Sequence, residues 1–203
     1  MATLDGSVGP AQLGDAAAAR GRFDNQASLM VSEMNGRYAE LSKRGHLEMA
    51  CNSSGVALST VSATVTGFCL NNPTGSGYNF ELIHIAVALT TAPAGIANIH
   101  LEYGLISATL VTHTTPLVVR SGMLEAFTPV GLVDSSATIP AAPVAIRAIG
   151  GGPNATGSVT TPFISDEVAG AIIIQPGSTL NVGYFTTAIS AVVSMMWAKK
   201  LRT

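Results

Sequence analysis

Residues 169–197 of the chain read AGAIIIQPGSTLNVGYFTTAISAVVSMMW, and they carry its clearest structural pattern. It predicts three consecutive β-strands. Residues 172–174 (III) are a β-branched run, and residues 175–177 (QPG) after them are a strong turn signal. Residues 180–184 (LNVGY) alternate apolar with polar or small side chains, which is the period of a strand with one buried face. Residues 189–197 are apolar enough to predict a strand that is covered on both faces.

Upstream of this stretch, the chain continues as short β-rich runs between turn residues. The turn signals recur at roughly the 8–12-residue spacing of a β-sandwich or barrel. Strands and helices do not alternate in the pattern, which argues against a doubly wound parallel sheet. The sequence therefore predicts an all-β fold. The predicted upstream strands are residues 56–63, 64–70, 78–89, 96–103, 105–111, 116–120, 123–127 and 144–149, the last of them within a looser region from 128 to 165.

Charge is unevenly distributed along the chain. Residues 51–198 hold eight charged side chains, whereas residues 1–50 hold eleven. This asymmetry predicts two parts, an N-terminal arm (residues 1–45) and a β-rich body (residues 46–203). Apolar residues at helical spacing predict a helix over residues 25–43 of the arm. An extended strand laid on a neighbouring subunit is the alternative.

The composition of the chain argues against nucleic acid and membranes as partners. The formal net charge is -2 and the pI is about 6.0, so no basic stripe points to nucleic acid. No run approaches the ~20 apolar residues of a membrane helix. The N-terminus lacks the basic and apolar regions of a secretory signal. We therefore expect a chain made in the cytoplasm, with neither nucleic acid nor a membrane as partner.

The two cysteines are Cys51 and Cys69. Both lie in apolar surroundings, and their separation does not match a Cys-x-x-Cys motif. This context predicts two unpaired, buried thiols, because free cysteine behaves as a small hydrophobic residue. A disulfide between them is the alternative, although it would be unusual in a chain without a secretion signal.

Three residues are the best candidates for a metal site: His84, His100 and Glu102. On a strand, His100 and Glu102 point to the same face, and with His84 they would form a His/His/Glu set on a cupin-like jelly-roll face. The ligand spacing of such sites, His-x-His with a later Glu and His, is absent. We therefore expect all three to be polar residues on the wet face of a half-buried sheet.

Asp134 and the pair Asp166-Glu167 raise the question of acid–base chemistry. Glycosidases need two carboxylates about 5–9.5 Å apart beside a sugar site, and such sites tend to be lined with aromatic residues, which are only 5% of this chain. We expect these carboxylates to cap turns in loops. Residues 149–154 (IGGGPN) lack the Gly-Lys-Ser/Thr of a phosphate loop and predict a flexible loop or a tight crossing of the backbone. No catalytic, metal-binding or cofactor-binding residue is predicted.

The body has few charged side chains for a protein that stays monomeric in water. Charged residues are 11% of the chain against a usual ~25%. Ser, Thr and Asn cover part of the sheets, and self-association can hide the remaining apolar surface, since homo-oligomer interfaces resemble a protein core. A charged arm that orders on a partner adds contact area. This combination is typical of assembly proteins more than of enzymes.

Several turn-rich motifs resemble those of small structural proteins of tailed bacteriophages. The resemblance covers most of the chain from about residue 35. It implies a virion component, a capsid cement or decoration protein with a jelly-roll-like body, commonly a homotrimer, and it offers no catalytic residues. Residues 198–200 (AKK) depart from the family pattern, in which an acidic pair follows the Trp. The motifs are residues 35–46 (NGRYAELSKRGH), 49–52 (MACN), 71–73 (NNP), 91–94 (TAPA), 150–153 (GGGP) and 174–177 (IQPG) down to Trp197.

The expectation is thus an all-β, antiparallel β-sandwich or jelly-roll-like body with an N-terminal arm, acting as a non-enzymatic phage virion protein without cofactors. It would stabilise the head shell by self-association, as a homotrimer, and by arm contacts to the major capsid protein. Two alternatives stay open: a tail adaptor, baseplate or receptor-binding component of the virion, and a jelly-roll protein that binds carbohydrate or is a metal-dependent enzyme. The expected arm contacts are Arg20, Arg22, Phe23, Arg37 and Tyr38.

Overall fold

The structure is a computed structural model in which one short helix is followed by twelve β-strands within the described residues. The chain divides after Ala39, and all twelve strands belong to the second unit, Glu40–Thr203. The described residues are 38–91, 93–104, 111–123, 127–152 and 163–201. The elements are α1 (Ala39–Lys43), β1 (Leu47–Cys51), β2 (Val56–Ala57), β3 (Thr64–Asn71), β4 (Tyr78–Leu89), β5 (Ala97–Gly104), β6 (Thr112–Leu117), β7 (Val119–Ser121), β8 (Leu132–Thr138), β9 (Val144–Gly152), β10 (Phe163–Ile174), β11 (Thr179–Phe185) and β12 (Ser190–Leu201).

The strands form two six-stranded sheets that pack face to face. Sheet 1 has the order β10-β4-β12-β1-β7, and β2 pairs with the start of β12. Sheet 2 has the order β6-β8-β3-β11-β5-β9. Every pairing between these strands is antiparallel. The predicted all-β, antiparallel β-sandwich is confirmed.

Eight of the strands pair as a long hairpin does when it is rolled up. In chain order they are β1, β3, β4, β5, β9, β10, β11 and β12. The first pairs with the eighth, the second with the seventh, the third with the sixth and the fourth with the fifth. The pairings of β12 with β4 and of β11 with β5 then join these arms into the two sheets. This is the connectivity of a jelly roll.

The strands β6, β7 and β8 are an insertion between the fourth and fifth strands of the roll. In sheet 2, β8 and β6 follow β3, and in sheet 1, β7 follows β1. The insertion therefore widens both sheets. The predicted strand at 116–120 is broken at Val118 into the end of β6 and the start of β7. The predicted strands at 105–111 and 123–127 fall largely outside the described residues.

The core lies between the sheets, where inward side chains alternate along each strand. Phe68, Phe80 and Trp197 are fully buried there, and the Phe80 and Trp197 ring centroids are 6.1 Å apart. Leu180 and Val182 of β11 point inward, as their alternation predicts. Each side chain of this size stabilises the fold by roughly 1.5–3 kcal/mol when it is buried.

The last strand, β12, differs from its prediction. Every second residue from Ala191 to Trp197 is buried, but the intervening Val192, Ser194 and Met196 are only half-buried. The strand is therefore covered on one face, not on both. The pattern misled because these three outward side chains are as apolar or as small as those of a core strand.

Other predicted loops and strands also need correction. The looser region from 128 to 165 holds β8 and β9, and the three glycines 150–152 end β9 instead of forming a flexible loop. A Cβ at Gly151 would lie 2.5 Å from the Ala97 carbonyl oxygen, so glycine allows β9 to approach β5 closely. The strand predicted over 56–63 is reduced to β2.

The helix α1 is the described part of the helix predicted over residues 25–43; residues 25–37 lie outside the described ranges. Gly45 has φ 68°, and the amide of His46 donates to the Leu41 carbonyl at 2.8 Å. This is the left-handed glycine cap that commonly ends a helix, as the sequence predicts. Whether the rest of the arm is helical or extended stays a prediction.

Candidate functional site

The feature best suited to function is the outward face of sheet 1, called here the open face. Paired strands place its side chains in rows that cross the sheet. The longest row takes one residue from each of β10, β4, β12, β1 and β7 in turn: Glu167, His84, Met196, Met49 and Arg120. The two shorter rows are Ser165-Ala86-Ser194-Cys51 and Phe163-Ala88-Val192.

Within the three rows, formal charge lies only at the two ends of the longest row, where Glu167 and Arg120 occupy exposed positions of β10 and β7. Beyond the rows on the same face, the Lys200 Nζ lies 3.7 Å from the Glu81 Oε2. The three rows also contain one imidazole, that of His84, and its Nε2 lies 2.8 Å from the Ser165 hydroxyl. Apolar surface is exposed on this face, since Phe163 at the end of the third row is 68% exposed and Val118, next to β7, is 66% exposed. A large apolar area that lacks charge marks a surface for interaction.

The open face contains a groove beside β1. The groove has a volume of about 570 Å³, and its walls include Met49, Cys51, Val118 and Met196, with Arg120 at its rim. This volume lies within the range of small-molecule pockets, ~300–1,000 Å³. The groove is open along the sheet, and its polar lining groups are those of Cys51, His84, Arg120 and Ser194. It suits the side chains of another protein better.

The chain covers this apolar surface at one end. Leu47 and Ala198 continue the open face beyond Met49, and both are buried. The side chains of Ser42 and Leu47 meet at Gly122, where a Cβ would lie 2.5 Å from the Ser42 Oγ and 3.1 Å from the Leu47 Cδ2. The turn that contains Gly122 and the helix α1 therefore shield one end, and the three rows lie beyond this cover.

On the inner side of β1, Glu48 is a buried carboxylate with a complete set of partners. Its Oε1 accepts from the Val130 amide at 2.8 Å and lies 3.1 Å from the Lys199 Nζ. Its Oε2 accepts from the Gly131 amide at 2.9 Å and from the Trp197 Nε1 at 3.1 Å. These contacts tie the segment before β8 to β1 and β12. Because both oxygens are already used, Glu48 positions the insertion and is not free to bind a substrate.

His100 and Glu102 are buried, so the prediction that they lie on a wet face is wrong. The His100 Nε2 is 2.8 Å from the Glu102 Oε1, and the imidazole stacks on Phe185 with centroids 3.8 Å apart. The pair lies over Gly183, where a Cβ would be 2.0 Å from Glu102 Oε1. Burial raises the pKa of the Glu102 carboxyl, and the hydrogen bond and charge of His100 partly offset this.

His84 does not join this pair. It lies on sheet 1, on the outward face of a half-buried sheet as predicted, whereas His100 and Glu102 lie on sheet 2. The three candidate metal ligands therefore do not converge. Across the described ranges, no group of three His, Cys, Asp or Glu side chains is arranged to hold a metal ion.

Asp134 pairs with His113 at the edge of sheet 2. The His113 Nδ1 is 2.5 Å from the Asp134 Oδ2, Asp134 is fully buried, and the His113 side chain is 29% exposed. A cleft of about 470 Å³ adjoins the pair, with mostly apolar walls that include Leu117 and Leu132. A buried carboxylate that orients an imidazole is a common part of acid–base sites. Among the described residues, however, no hydroxyl or thiol is hydrogen-bonded to His113, so a nucleophile is missing from the arrangement.

The carboxylates predicted to cap turns in loops lie in strands instead. Asp134 is in β8, and both Asp166 and Glu167 are in β10. The Asp166 Oδ2 is 3.0 Å from the Arg147 Nη2, which joins the edge strands β10 and β9 across the sandwich. The prediction failed because acidic residues next to Ser and Ala resemble turn composition, whereas cross-strand partners make these positions compatible with a sheet.

Cys51 and Cys69 are both free, as predicted. Cys69 is buried in β3, but Cys51 is exposed on the open face, so the prediction that both are buried is wrong. Burial raises the pKa of both thiols, and the nearby Asp134 raises that of Cys69 further. The apolar context of Cys51 reflects the uncovered surface of sheet 1, not the core.

Of the five expected arm contacts, only Tyr38 lies within the described residues, where it is half-buried. Arg20, Arg22, Phe23 and Arg37 lie outside them. The contacts of the arm with a capsid therefore stay a prediction.

The comparisons with known proteins found no match: no protein-family model, no curated protein and no solved structure is similar to this chain. None of the helical segments in the described part of the chain has the length and hydrophobicity of a membrane-spanning helix.

Sequence reasoning did not identify the open face. The signal was the uniformly apolar β12, which indicates either a strand buried on both sides or a strand with one side left for a partner. Choosing between these requires the order of the strands, because the rows bring together residues as distant as Met49 and Met196.

Proposed function

We propose that this chain is a non-enzymatic structural protein of a phage virion, a cement or decoration protein that stabilises the head shell. In this proposal the jelly-roll body self-associates, for which the resemblance of its motifs implies a homotrimer. Residues 1–45 contact the major capsid protein, with Arg20, Arg22, Phe23, Arg37 and Tyr38 as the expected contact residues. The protein then resides in the virion, on the capsid surface.

The observation that carries the proposal is the open face. Native surfaces rarely leave a broad apolar area uncovered, and such areas mark protein contacts. Three neighbouring strands of sheet 1, β4, β12 and β1, present Ala86, Ala88, Val192, Met49 and Met196 outward, and none of these five side chains is charged. The jelly roll itself is a recurrent architecture of viral capsid proteins, although it also occurs in lectins and cupins.

The non-enzymatic part of the proposal is supported by the polar clusters of the body. Glu48 uses both carboxylate oxygens to hold backbone and side-chain donors. His100 and Glu102 pair with each other and are buried beneath Phe185. These groups serve the fold, and the described part of the chain offers no set of three ligands for a metal ion.

The mechanism is mechanical. A shell filled with packaged DNA is under pressure from within, and it opens where subunits part. A bound body that bridges subunits adds contacts that must break before rupture. Many modest interfaces suffice, because the free energies of repeated contacts on one particle add as avidity.

Copy number per particle tests the proposal. Antibodies against the purified protein would be applied to intact particles of the phage that encodes it, and gold labels counted on heads and tails. We expect labels spread over the head, with hundreds of copies per particle. A few copies confined to the tail would favour the adaptor, baseplate or receptor-binding alternative, and particles without the protein would contradict a virion role.

A further inference from the structure

We propose that the cleft beside His113 and Asp134 binds a phenol, whose hydroxyl donates to the His113 Nε2 and whose ring lies in the apolar part of the cleft. His113 and Asp134 belong to β6 and β8, at one edge of sheet 2. The proposal goes beyond the virion role, and it depends neither on self-association nor on a place in the particle.

The size and the lining of the cleft suit a small ring. Its volume of about 470 Å³ lies within the range of small-molecule sites, ~300–1,000 Å³. The apolar lining comes from the end of β6 and the start of β7, and from the residues that lead into and begin β8. These residues are Pro116, Leu117, Val119, Pro129, Leu132 and Val133.

Both sides of the cleft are held in place by the fold. On one side, the Glu48 carboxylate accepts from the Val130 amide at 2.8 Å and from the amide of Gly131, a lining residue, at 2.9 Å. On the other side, Leu117 and Val119 are partly buried and pack against the main core. A site whose walls are fixed in advance binds with a smaller entropy cost.

The polar end of the cleft offers a hydrogen-bond acceptor. The Asp134 carboxylate is fully buried, and its Oδ2 lies 2.5 Å from the His113 Nδ1. A carboxylate at this position keeps the proton of a neutral imidazole on Nδ1, so Nε2 carries the lone pair. Among the described residues, none is hydrogen-bonded to Nε2, and the His113 side chain is 29% exposed. Asp134 therefore strengthens an acceptor that is open to a ligand.

The chemistry of the cleft selects a neutral donor with an apolar body. A carboxylate or phosphate would face the Asp134 carboxylate without a cation to receive it, because the described lining residues include neither lysine nor arginine. An ammonium group would lose its hydration against apolar walls, which costs far more than burying a hydroxyl. Among hydroxyls, that of a phenol, with a pKa of about 10, is a stronger donor than that of an alcohol. Its flat ring also matches the apolar lining.

The test is an NMR titration of the full chain with three ligands that share one ring. We expect para-cresol to bind with a dissociation constant on the order of 1 mM and to shift the amide signals of β6 and of the start of β8. Its methyl ether cannot donate a hydrogen bond and should bind about tenfold more weakly. The anion para-toluate should bind no more tightly than the ether. Equal affinities for para-cresol and its ether, or shifts confined to residues outside the cleft, would overturn the proposal.

A variant at the acceptor tests the hydrogen bond itself. His113→Leu removes Nε2 and should abolish the preference for para-cresol over its ether. Thr112→Val is the matched control, because Thr112 precedes His113 on β6 and points to the opposite face of the strand, and it should keep the preference. Circular dichroism checks that both variants fold. If His113→Leu does not fold without the partner of its buried Asp134, the two ligands on the wild type still decide the question. A folded His113→Leu protein that kept the preference would contradict the proposal.

N-acetyltyrosinamide distinguishes the two sources of a phenol, since it carries the same ring on a peptide unit. Binding within about threefold of para-cresol supports the site and assigns it to a tyrosine side chain of a partner protein. Binding of para-cresol alone also supports the site and assigns it to free phenols. If neither compound binds at millimolar concentration, the proposal is wrong.

Discussion

At the scale of single residues, the buried carboxylates of this protein divide into two kinds. Glu48 has four donors around its two oxygens, one of them the cation of Lys199. Glu102 has one partner, His100, and its second oxygen has none. The first kind holds parts of the chain together, whereas the second carries a desolvation cost that depends on its protonation. The two therefore respond differently to substitution and to pH.

Replacing Glu48 with alanine should destabilise the fold strongly. Glu48→Ala leaves the buried Lys199 ammonium and the Trp197 indole N–H without their acceptor, and removing one partner of a buried ion pair costs about 3–5 kcal/mol. Urea unfolding followed by Trp197 fluorescence measures the loss. Glu40→Ala on the exposed surface of α1 is the control, and it should change the free energy of unfolding by less than about 0.5 kcal/mol. If both substitutions lowered the free energy of unfolding equally, the contacts of Glu48 would not be important for stability.

Glu102 should make stability depend on pH. Its pKa is raised above the ordinary value of 4.5, chiefly by burial. An acid with a raised folded-state pKa holds its proton more tightly in the folded state, so this contribution to stability is present at low pH and is lost as pH rises through the folded-state pKa. Relative to Glu102→Gln, the wild type should lose stability as pH rises from the ordinary value of 4.5 through the raised folded-state pKa of Glu102.

The measurement is the free energy of unfolding of both proteins across that pH range. Glu40→Gln, which removes an exposed carboxyl, should follow the wild-type profile. Parallel profiles for the wild type and Glu102→Gln would contradict a raised pKa at this position.

Residue-level prediction from sequence succeeded where the pattern along one strand was enough. Strand alternation correctly placed His100 and Glu102 on one face. It could not show that Phe185 and the neighbouring strand would bury that face, because Phe185 belongs to β11 and reaches His100 only through strand pairing. Asp134 was misassigned for the same reason, since its partner His113 is contributed by the insertion.

At the scale of elements, β11 depends on a glycine that makes room for side chains of β5. Gly183→Ala would put a Cβ 2.0 Å from the Glu102 Oε1 and 2.6 Å from its Cδ. Overpacking of this kind costs typically 1–3 kcal/mol. We expect a loss of that size in urea unfolding. The matched control is Gly75→Ala, where a Cβ meets nothing within 4 Å and φ is not left-handed, and a loss as large there would argue against a specific clash.

Elements were predictable when local chemistry defined their ends. The turn after β10 was read correctly from residues 175–177, and the Gly177 amide donates to the Asn72 carbonyl there. Asn72 itself looked like an ordinary loop residue. Asn72 is buried, and its Nδ2 donates to the carbonyls of Tyr78 and Ile174. Ile174 lies 102 residues after Asn72 in the sequence. Composition indicates a loop but not which distant strand its side chain will hold.

At the scale of the whole molecule, the arm is the part that the proposed function needs for capsid binding. Removing residues 1–37 should leave the body folded, because β1 and the other strands all begin after α1. The truncated protein should lose most of its affinity for shells that lack the protein. Co-sedimentation with such shells measures this, with the full chain as reference. Binding of the truncated protein with unchanged affinity would contradict the arm's role.

The class of the fold could be predicted from sequence, but its strand order could not. Periodic apolar runs and turn signals are local, and they sufficed for an all-β sandwich. The jelly roll is defined by pairings such as β1 with β12 and β3 with β11, which join opposite ends of the body. The open face arises from those pairings, so its rows and their charged ends appear only when the strand order is known.

The position of β12 has a consequence for how the protein is made. It is the last of the described strands and also the middle strand of sheet 1, with β4 on one side and β1 on the other. Until the residues of β12 have been synthesised, β1 and β4 have no strand between them, and Trp197 is missing from the interior. Sheet 1 therefore closes only after β12 has left the ribosome. A nascent chain that has not reached this point has no open face to offer a neighbour.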